Sequence, residues 1–252
     1  MQKILLSGCN GRMGRAVAAL CADRRDAYIV AGLDMDTEKR FDFPVYADPM
    51  EYGGRPHVVL DFSAPAALPS LLLYCREKTL PLVLATTGYD EAQQAAVRAA
   101  AAEIPIFQSG NMSLGINLLL DLVRRACAVL GEGFDVEIIE KHHNQKLDAP
   151  SGTALMICRA AAESLPYEAR PVYDRHGQRA RRDPHEIGLH AVRGGSIVGE
   201  HSVLFAGHHE VIEISHSAGS REVFAAGALR AALYLAGVTR PGLYGMDDML
   251  RA

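Results

Sequence analysis

The stretch Lys3-Ile4-Leu5-Leu6-Ser7-Gly8-Cys9-Asn10-Gly11-Arg12-Met13-Gly14 decides the fold. Its first five residues form a short apolar run stopped by glycine, the pattern of a buried parallel strand. Residues 13–24 follow with helix formers, among them Ala16, Ala18, Ala19 and Leu20. Three glycines at G-x-x-G-x-x-G spacing join the two. Gly8 suits the tight turn, Gly11 a close approach of backbone to a pyrophosphate, and Gly14 a helix lying near the sheet. The start of such a helix offers unpaired N–H groups and a partial positive charge to phosphates. Asn10 stands where a further glycine is usual, and asparagine tolerates a left-handed backbone better than most residues. A second strand, residues 28–33, ends at Asp34, about 20 residues beyond Gly14, where a carboxylate accepts hydrogen bonds from the ribose of a dinucleotide.

The same alternation continues outward. Residues 57–61, 81–85 and 104–108 read as strands, 66–77 and 90–102 as helices, with Asp90 as an N-cap and a short strand near Val45. Strands alternating with helices give a parallel α/β sheet with right-handed crossovers. Two turns follow strands on its carboxyl side: Ala85-Thr86-Thr87-Gly88 and Ser109-Gly110-Asn111-Met112. Both suit the crevice in which such sheets bind ligands.

After about Leu130 the pattern changes. Residues 135–140 alternate like a strand, and 151–164 read as a helix capped by Ser151. Residues 186–192, 196–205 and 209–215 read as consecutive antiparallel strands turned by Gly194-Gly195 and Gly207-His208. A meander of this kind defines a second domain. Residues 221–236 are helical and stop at Gly237. The Arg-rich segment 170–186 reads as a solvated loop.

Composition excludes several classes. The 252 residues are 49% hydrophobic and 22% charged, with a formal net charge of −4. That is an ordinary globular profile, without the basic excess of nucleic-acid or anionic-membrane binding. No apolar run approaches the ~18 residues of a membrane span. Leu6-Ser7-Gly8-Cys9 has the form of a lipoprotein cleavage box, but only Ile4-Leu5-Leu6 precede it, far short of a signal peptide's roughly 7–15 apolar residues. Five cysteines with no C-x-x-C pair indicate reduced thiols and a cytoplasmic protein.

The chemistry concentrates in Glu140-Lys141-His142-His143-Asn144-Gln145-Lys146-Leu147-Asp148-Ala149-Pro150-Ser151-Gly152-Thr153-Ala154, which leaves a strand and enters a helix. Adjacent imidazoles, an ammonium and a helix start suit an anionic substrate, a carboxylate in particular. Metal binding is the rival reading, but neither this stretch nor His208-His209-Glu210 has zincin spacing, so no metal is expected. His190, His201 and His216 fall in strands and read as packing or surface residues.

This stretch resembles the signature of the 4-hydroxy-tetrahydrodipicolinate reductase (dihydrodipicolinate reductase) family. So do the glycine loop, the Thr86-Thr87-Gly88 turn, the segment 111–117 (Asn-Met-Ser-Leu-Gly-Ile-Asn) and Val198-Gly199-Glu200-His201, in the same order over nearly the whole chain. The resemblance implies a Rossmann dinucleotide-binding domain (residues 1–113 and 220–252) and a mixed α+β domain for substrate and tetramerisation (114–219). It implies His142 as general acid/base and Lys146 as proton donor, with His143, Ser151, Gly152 and Thr153 on the substrate. Cofactor contacts would come from Gly8, Cys9, Asn10, Gly11, Arg12, Met13, Asp34, Ala85, Thr86, Thr87, Ser109, Gly110, Asn111 and Met112. The implied reaction moves hydride from NAD(P)H to a cyclic dicarboxylate in the diaminopimelate route to lysine. The family often carries a longer stretch after its second strand, with an arginine beside the acid. Here Met35 stands beside Asp34, so NADH is expected to be favoured with NADPH also accepted. Ala85 replaces a glycine common in the family.

Two rivals remain at this level. One is another two-domain Rossmann reductase, such as an aspartate or sugar dehydrogenase; the Pro150-Ser151-Gly152-Thr153 stretch speaks against it. The other is a non-catalytic dinucleotide-binding protein, which has no need of both His142 and Lys146.

Overall fold

A computed structural model describes residues 1–177 and 179–252. The chain divides into two compact units, Met1–Leu114 with Glu222–Ala252, and Gly115–Arg221.

The first unit begins with β1 (Gln2–Ser7), α1 (Arg12–Ala22), β2 (Ala27–Leu33), β3 (Val45–Tyr46) and β4 (Val58–Asp61). It continues through α2 (Leu68–Lys78), β5 (Leu82–Leu84), α3 (Glu91–Ala100) and β6 (Pro105–Gln108). Asp90 caps α3 in a reciprocal box with Gln93. Successive residues of each strand face opposite layers: Leu6 and Leu60 look to one side, Leu5 and Val59 to the other. Burial on both faces is why these strands read as continuous apolar runs.

The second unit contains α4 (Leu114–Leu130, from its second residue), β7 (Asp135–His142), α5 (Gly152–Ala162), β8 (Arg170–Val172), β9 (Glu186–Arg193), β10 (Gly199–Ala206) and β11 (Val211–Ala218). The sequence reading assigned no helix to α4. Its buried residues Ile116, Leu119, Leu120, Val123 and Cys127 keep helical spacing. With Ile157 and Ala161 of α5 they cover one face of the sheet.

The strand order is β11-β10-β7-β9-β8, which corrects the expected meander. β10 and β11 do form the antiparallel hairpin, but β9 and β10 are not neighbours. β7 lies between them, parallel to β9 and antiparallel to β10. The connection 194–198 crosses the end of β7, where the Gly194 N–H donates to His142 O (2.9 Å) and the Asn144 N–H to Gly195 O (3.2 Å). Strand patterning reveals which residues are inside, but not which strand lies alongside which.

The Arg-rich segment is likewise not a simple solvated loop. Arg175 bonds Glu186 and Glu137 (2.5 and 2.7 Å). Arg182 bonds Glu137 and Asp135 (2.9 and 2.7 Å) and the carbonyls of Val136 and Glu186. The acids are on β7 and β9, so the arginines tie the segment to the sheet. Gln178, within that segment, lies outside the described residues.

The chain then re-enters the first unit as α6 (Glu222–Leu235), β12 (Gly242–Tyr244) and α7 (Met246–Arg251). β12 and α7 were not anticipated. β12 pairs in parallel with β6 and completes a seven-stranded sheet of order β12-β6-β5-β4-β1-β2-β3. α1 and α6 cover one face, and α2 and α3 the other. The order reverses between β1 and β4, and open parallel sheets bind ligands outside the carboxyl ends of their strands at such a switch point.

Candidate active site

Each unit carries one constellation. In the first, the glycine loop leaves β1 at the switch point. Gly8 has φ +73°, and a Cβ there would lie 2.5 Å from the Phe62 carbonyl oxygen, so only glycine fits. A Cβ on Gly14 would overlap the Gly8 carbonyl, so α1 starts pressed against the loop. Gly11 caps α1 without a side-chain bond, and Gly11 and Arg12 are exposed while Met13 is half-buried.

Asn10 departs from expectation. It does not take a left-handed backbone. Its side chain donates to the carbonyls of Asp36 and Glu38 (2.6 and 2.9 Å), and its N–H donates to Asp34 Oδ2 (2.9 Å). Asn10 thus fastens the acidic loop after β2 to the glycine loop. Cys9 is in the core with no exposed surface, and burial pushes its thiol up to about 11, so its side chain is not offered to a cofactor.

A cavity of about 460 Å³ is bordered by Gly8, Gly11, Asp34, Met35 and Ser63. Asp34 also accepts from Asp36 N (3.1 Å), leaving lone pairs on both carboxylate oxygens for further donors. Met35 is 90% exposed. Arg40 is engaged with Asp36 (2.8 Å) and Glu38 (2.6 Å).

A second cavity of about 370 Å³ is bordered by Thr86, Thr87, Gly88, Ser109 and Gly110. Ala85 is half-buried at its strand end, and Thr87 and Gly110 are exposed. Thr86 is buried and spends its hydroxyl on Asp61 (2.7 Å). Asp61 is 1% exposed and also accepts from the Ser63 N–H and hydroxyl. Asn111 and Met112 are buried, the former accepting the Ser113 N–H (2.8 Å). A dinucleotide fits these residues: two cavities at strand carboxyl ends, a loop only glycine can make, and a carboxylate at the second strand end.

In the second unit, β7 alternates buried and half-buried residues along its length. Val136, Ile138, Glu140 and His142 therefore share the inward face, placing a carboxylate and an imidazole at the end of an apolar row. Glu140 is 1% exposed. Its Oε1 accepts from Arg193 Nη2 (2.7 Å) and the Ser151 N–H (3.0 Å); its Oε2 accepts from Arg193 Nη1 (2.7 Å) and pairs with His142 Nδ1 (2.5 Å). Burial alone would raise this carboxyl, but bonds from Arg193, His142 and Ser151 hold it below its ordinary value.

Ser151 caps α5 by accepting the Ala154 N–H (3.2 Å), and its hydroxyl meets His201 Nε2 (3.2 Å). The His201 ring stands edge-on to His142 with centroids 5.2 Å apart. Burial, with His142 nearby, pushes His201 down to about 4, so it is neutral. His201 is thus part of the site and not mere strand packing.

The loop after β7 carries the remaining groups. Lys146 Nζ lies 2.8 Å from Asp148 Oδ1, and the Asp148 carboxyl is lowered mainly by that contact. Arg193 Nη2 also holds the Asp148 carbonyl (2.6 Å). His143 and Thr153 are half-buried, and Gly152 is exposed at the start of α5. The sequence reading missed Glu140, Arg193 and His201 as site residues. The signal for Glu140 was its parity with Val136 and Ile138, since a carboxylate on a buried face must find partners. Among the described residues no group of three or more His, Cys, Asp or Glu is placed to hold a metal ion, and no helix is long and apolar enough to cross a membrane.

A doubly wound dinucleotide-type unit joined to a mixed-sheet unit with an acid–base and cationic loop defines a two-domain oxidoreductase of the Rossmann class. Residues 2–112 match the family description "Dihydrodipicolinate reductase, N-terminus" and residues 115–250 "Dihydrodipicolinate reductase, C-terminus". The chain is 53% identical over 251 residues to the 4-hydroxy-tetrahydrodipicolinate reductase of Caldanaerobacter subterraneus, covering 100% of this chain and 99% of that one. It is 48% identical to the enzyme of that name from Clostridium tetani, covering 100% and 98%. The chain belongs to the dihydrodipicolinate reductase family. Its fold is similar to that of a dipicolinate-bound dihydrodipicolinate reductase from Paenisporosarcina sp. TG-14, with TM-score 0.83, 24% identity, and 98% and 99% of the two chains covered.

Proposed function

We propose that the chain is an NAD(P)H-dependent 4-hydroxy-tetrahydrodipicolinate reductase that forms tetrahydrodipicolinate on the diaminopimelate route to lysine, with His142 and Lys146 as its proton-transfer groups. The observation that carries this reading is the cluster at the end of β7: a supported imidazole, an ammonium and the start of α5 within one loop. The substrate is a cyclic dicarboxylate. Lys146, His143 and the first turn of α5, at Ser151, Gly152 and Thr153, would hold its carboxylates by charge-assisted bonds and the helix field. Asp148 now occupies the Lys146 ammonium and would yield it to a substrate carboxylate. The nicotinamide cofactor, when bound, supplies the hydride. Converting the 4-hydroxy substrate to tetrahydrodipicolinate adds that hydride and a proton to the ring and releases the 4-hydroxyl as water; general acid catalysis by a placed His or Lys contributes on the order of 10²–10⁴-fold.

The cofactor would be held by the glycine loop from Gly8 to Met13, by Asp34, and by the backbone of residues 85–87 and 109–112. NADH is favoured and NADPH also used. A 2′-phosphate would approach Asp34, and like charges repel. Met35 carries no charge, and Arg40 is engaged by Asp36 and Glu38. Lys39 and Arg12 are the remaining cations for a phosphate.

The protein is read as a cytoplasmic homotetramer. Its five cysteines are free and buried. β11 ends the second sheet and exposes Val211 and Ile212, and an open strand edge is an association surface unless covered.

The test is pyridine-2,6-dicarboxylate (dipicolinate), a planar mimic. It should compete with substrate, and a crystal soak should place it against residues 143–153. His142→Gln and Lys146→Ala should each lower kcat at least about 100-fold while NADH binds as in wild type. Retention of most turnover by both variants, or dipicolinate bound elsewhere, would overturn the assignment.

A further inference from the structure

We propose that Glu140 is a positioning residue for this reaction: it dictates which nitrogen of His142 carries the proton and leaves Nε2 as the working atom. The proposal rests on the reading of His142 as a proton-transfer group. An ionised carboxylate can only accept hydrogen bonds. Glu140 is 1% exposed and its Oε2 faces His142 Nδ1, so Nδ1 must donate. Neutral His142 then carries its lone pair on Nε2, and the imidazolium offers its Nε2 proton. This division of labour, in which one ring nitrogen is tied down and the other works, is how a carboxylate sets a histidine's tautomer.

Three further features support the assignment. Arg193 clamps both Glu140 oxygens, which keeps the acid ionised and removes its need for the His142 proton. Space is kept at the other nitrogen: a Cβ at Gly199 would lie 3.2 Å from His142 Nε2, so glycine there leaves that atom uncrowded. The same carboxylate accepts the Ser151 N–H at the start of α5. One group therefore sets both the imidazole and the helix start proposed to hold the substrate. Among the described residues, the charged and titratable groups tied to the imidazole are Glu140 from β7, Arg193 opposite it on β9 and His201 from β10, while Lys146 of the following loop acts on His201. His216 of β11 is the cross-strand partner of His201. His201, buried and neutral, cannot substitute as the counter-charge.

Glu140→Gln tests this with little change of shape. Glutamine has one acceptor oxygen. At the Oε1 position it keeps the Arg193 Nη2 and Ser151 bonds. Its NH2 group then faces Arg193 Nη1, a donor left without its acceptor, and His142 Nδ1, which must become the acceptor, so the proton moves to Nε2; the opposite rotamer would set the NH2 group against two donors, Arg193 Nη2 and the Ser151 N–H, and is disfavoured. Long-range ¹H–¹⁵N correlation of ¹⁵N-histidine-labelled full-length protein reads the tautomer, with the His142 signals assigned by their loss in His142→Gln. Wild type should carry its proton on Nδ1 and Glu140→Gln on Nε2. In the variant kcat should fall at least about 100-fold, since a misdirected tautomer in a comparable dyad costs up to about 10⁴-fold. Affinity for pyridine-2,6-dicarboxylate should stay within about threefold. A neutral wild-type His142 protonated on Nε2 would overturn the proposal even if the variant failed to fold. So would a Glu140→Gln protein with near-normal kcat. Full turnover by His142→Gln would instead overturn the underlying role of His142, so the two failures are distinguishable.

Discussion

Arg193→Met should destabilise the second unit strongly, and the size of the loss follows from what Arg193 holds. Its guanidinium makes two 2.7 Å bonds to a carboxylate that is 1% exposed. It also binds the Asp148 and Val192 carbonyls at 2.6 and 2.8 Å. Methionine replaces much of the stem and none of the donors. Removing one partner of a buried pair leaves an uncompensated charge, at a cost of about 3–5 kcal/mol. For 150–250 residues each kcal/mol shifts Tm by about 2–4 °C, so the fall should be roughly 6–20 °C. Glu140 without its partner should take up a proton more readily. The deficit should therefore shrink as pH falls, as protonation removes the stranded charge. Urea unfolding followed by circular dichroism at two pH values measures both effects. Adding Glu140→Gln should recover part of the loss, because the stranded charge is then gone. A deficit below about 1 kcal/mol, or one that grows with acid, would refute the claim that Arg193 neutralises a buried carboxylate.

At fixed substrate and low salt, kcat/KM should favour NADH over NADPH; a clear NADPH preference would mean that Lys39 or Arg12 reaches the 2′ position despite Asp34. Stability should fall in acid. His201 has its folded value depressed from 6.5 to about 4, so its contribution is intact above pH 6.5 and is lost as pH falls toward 4. Glu140 is lowered too, and its loss runs in the same direction; a His201→Asn variant should show a flatter acid limb, and an unchanged limb would contradict this. Light scattering at micromolar concentration should give four times the chain mass, and a monomer alone would refute the tetramer.

Much of this architecture was legible because it is local. The run 3–7 stopped by Gly8 requires a strand followed by a tight turn, and Asp34 follows at the distance a βαβ unit dictates. Asp90 and Ser151 are caps whose side chains act within three residues of their own positions. What escaped the sequence was nonlocal. β9 and β10 each read as a strand, yet the choice to flank β7 depends on pairings 51 residues apart for β9 and 59 to 71 apart for β10. Glu140 and Arg193 find each other by that same pairing, which sets His142 opposite Arg193. Asn10 looked like a tolerant turn residue because its real partners, the carbonyls of Asp36 and Glu38, lie beyond the second strand. β12 is three residues long and carries no pattern of its own; its partner β6 defines it.

The most direct measurement is oxidation of NADH by the purified protein, supplied with freshly made 4-hydroxy-tetrahydrodipicolinate from the preceding synthase reaction. Rapid loss of absorbance at the nicotinamide band is expected, with one NADH consumed per substrate, suppressed by pyridine-2,6-dicarboxylate and reduced at least about 100-fold in His142→Gln and Lys146→Ala. No substrate-dependent oxidation of NADH or NADPH by protein shown to be folded would contradict it.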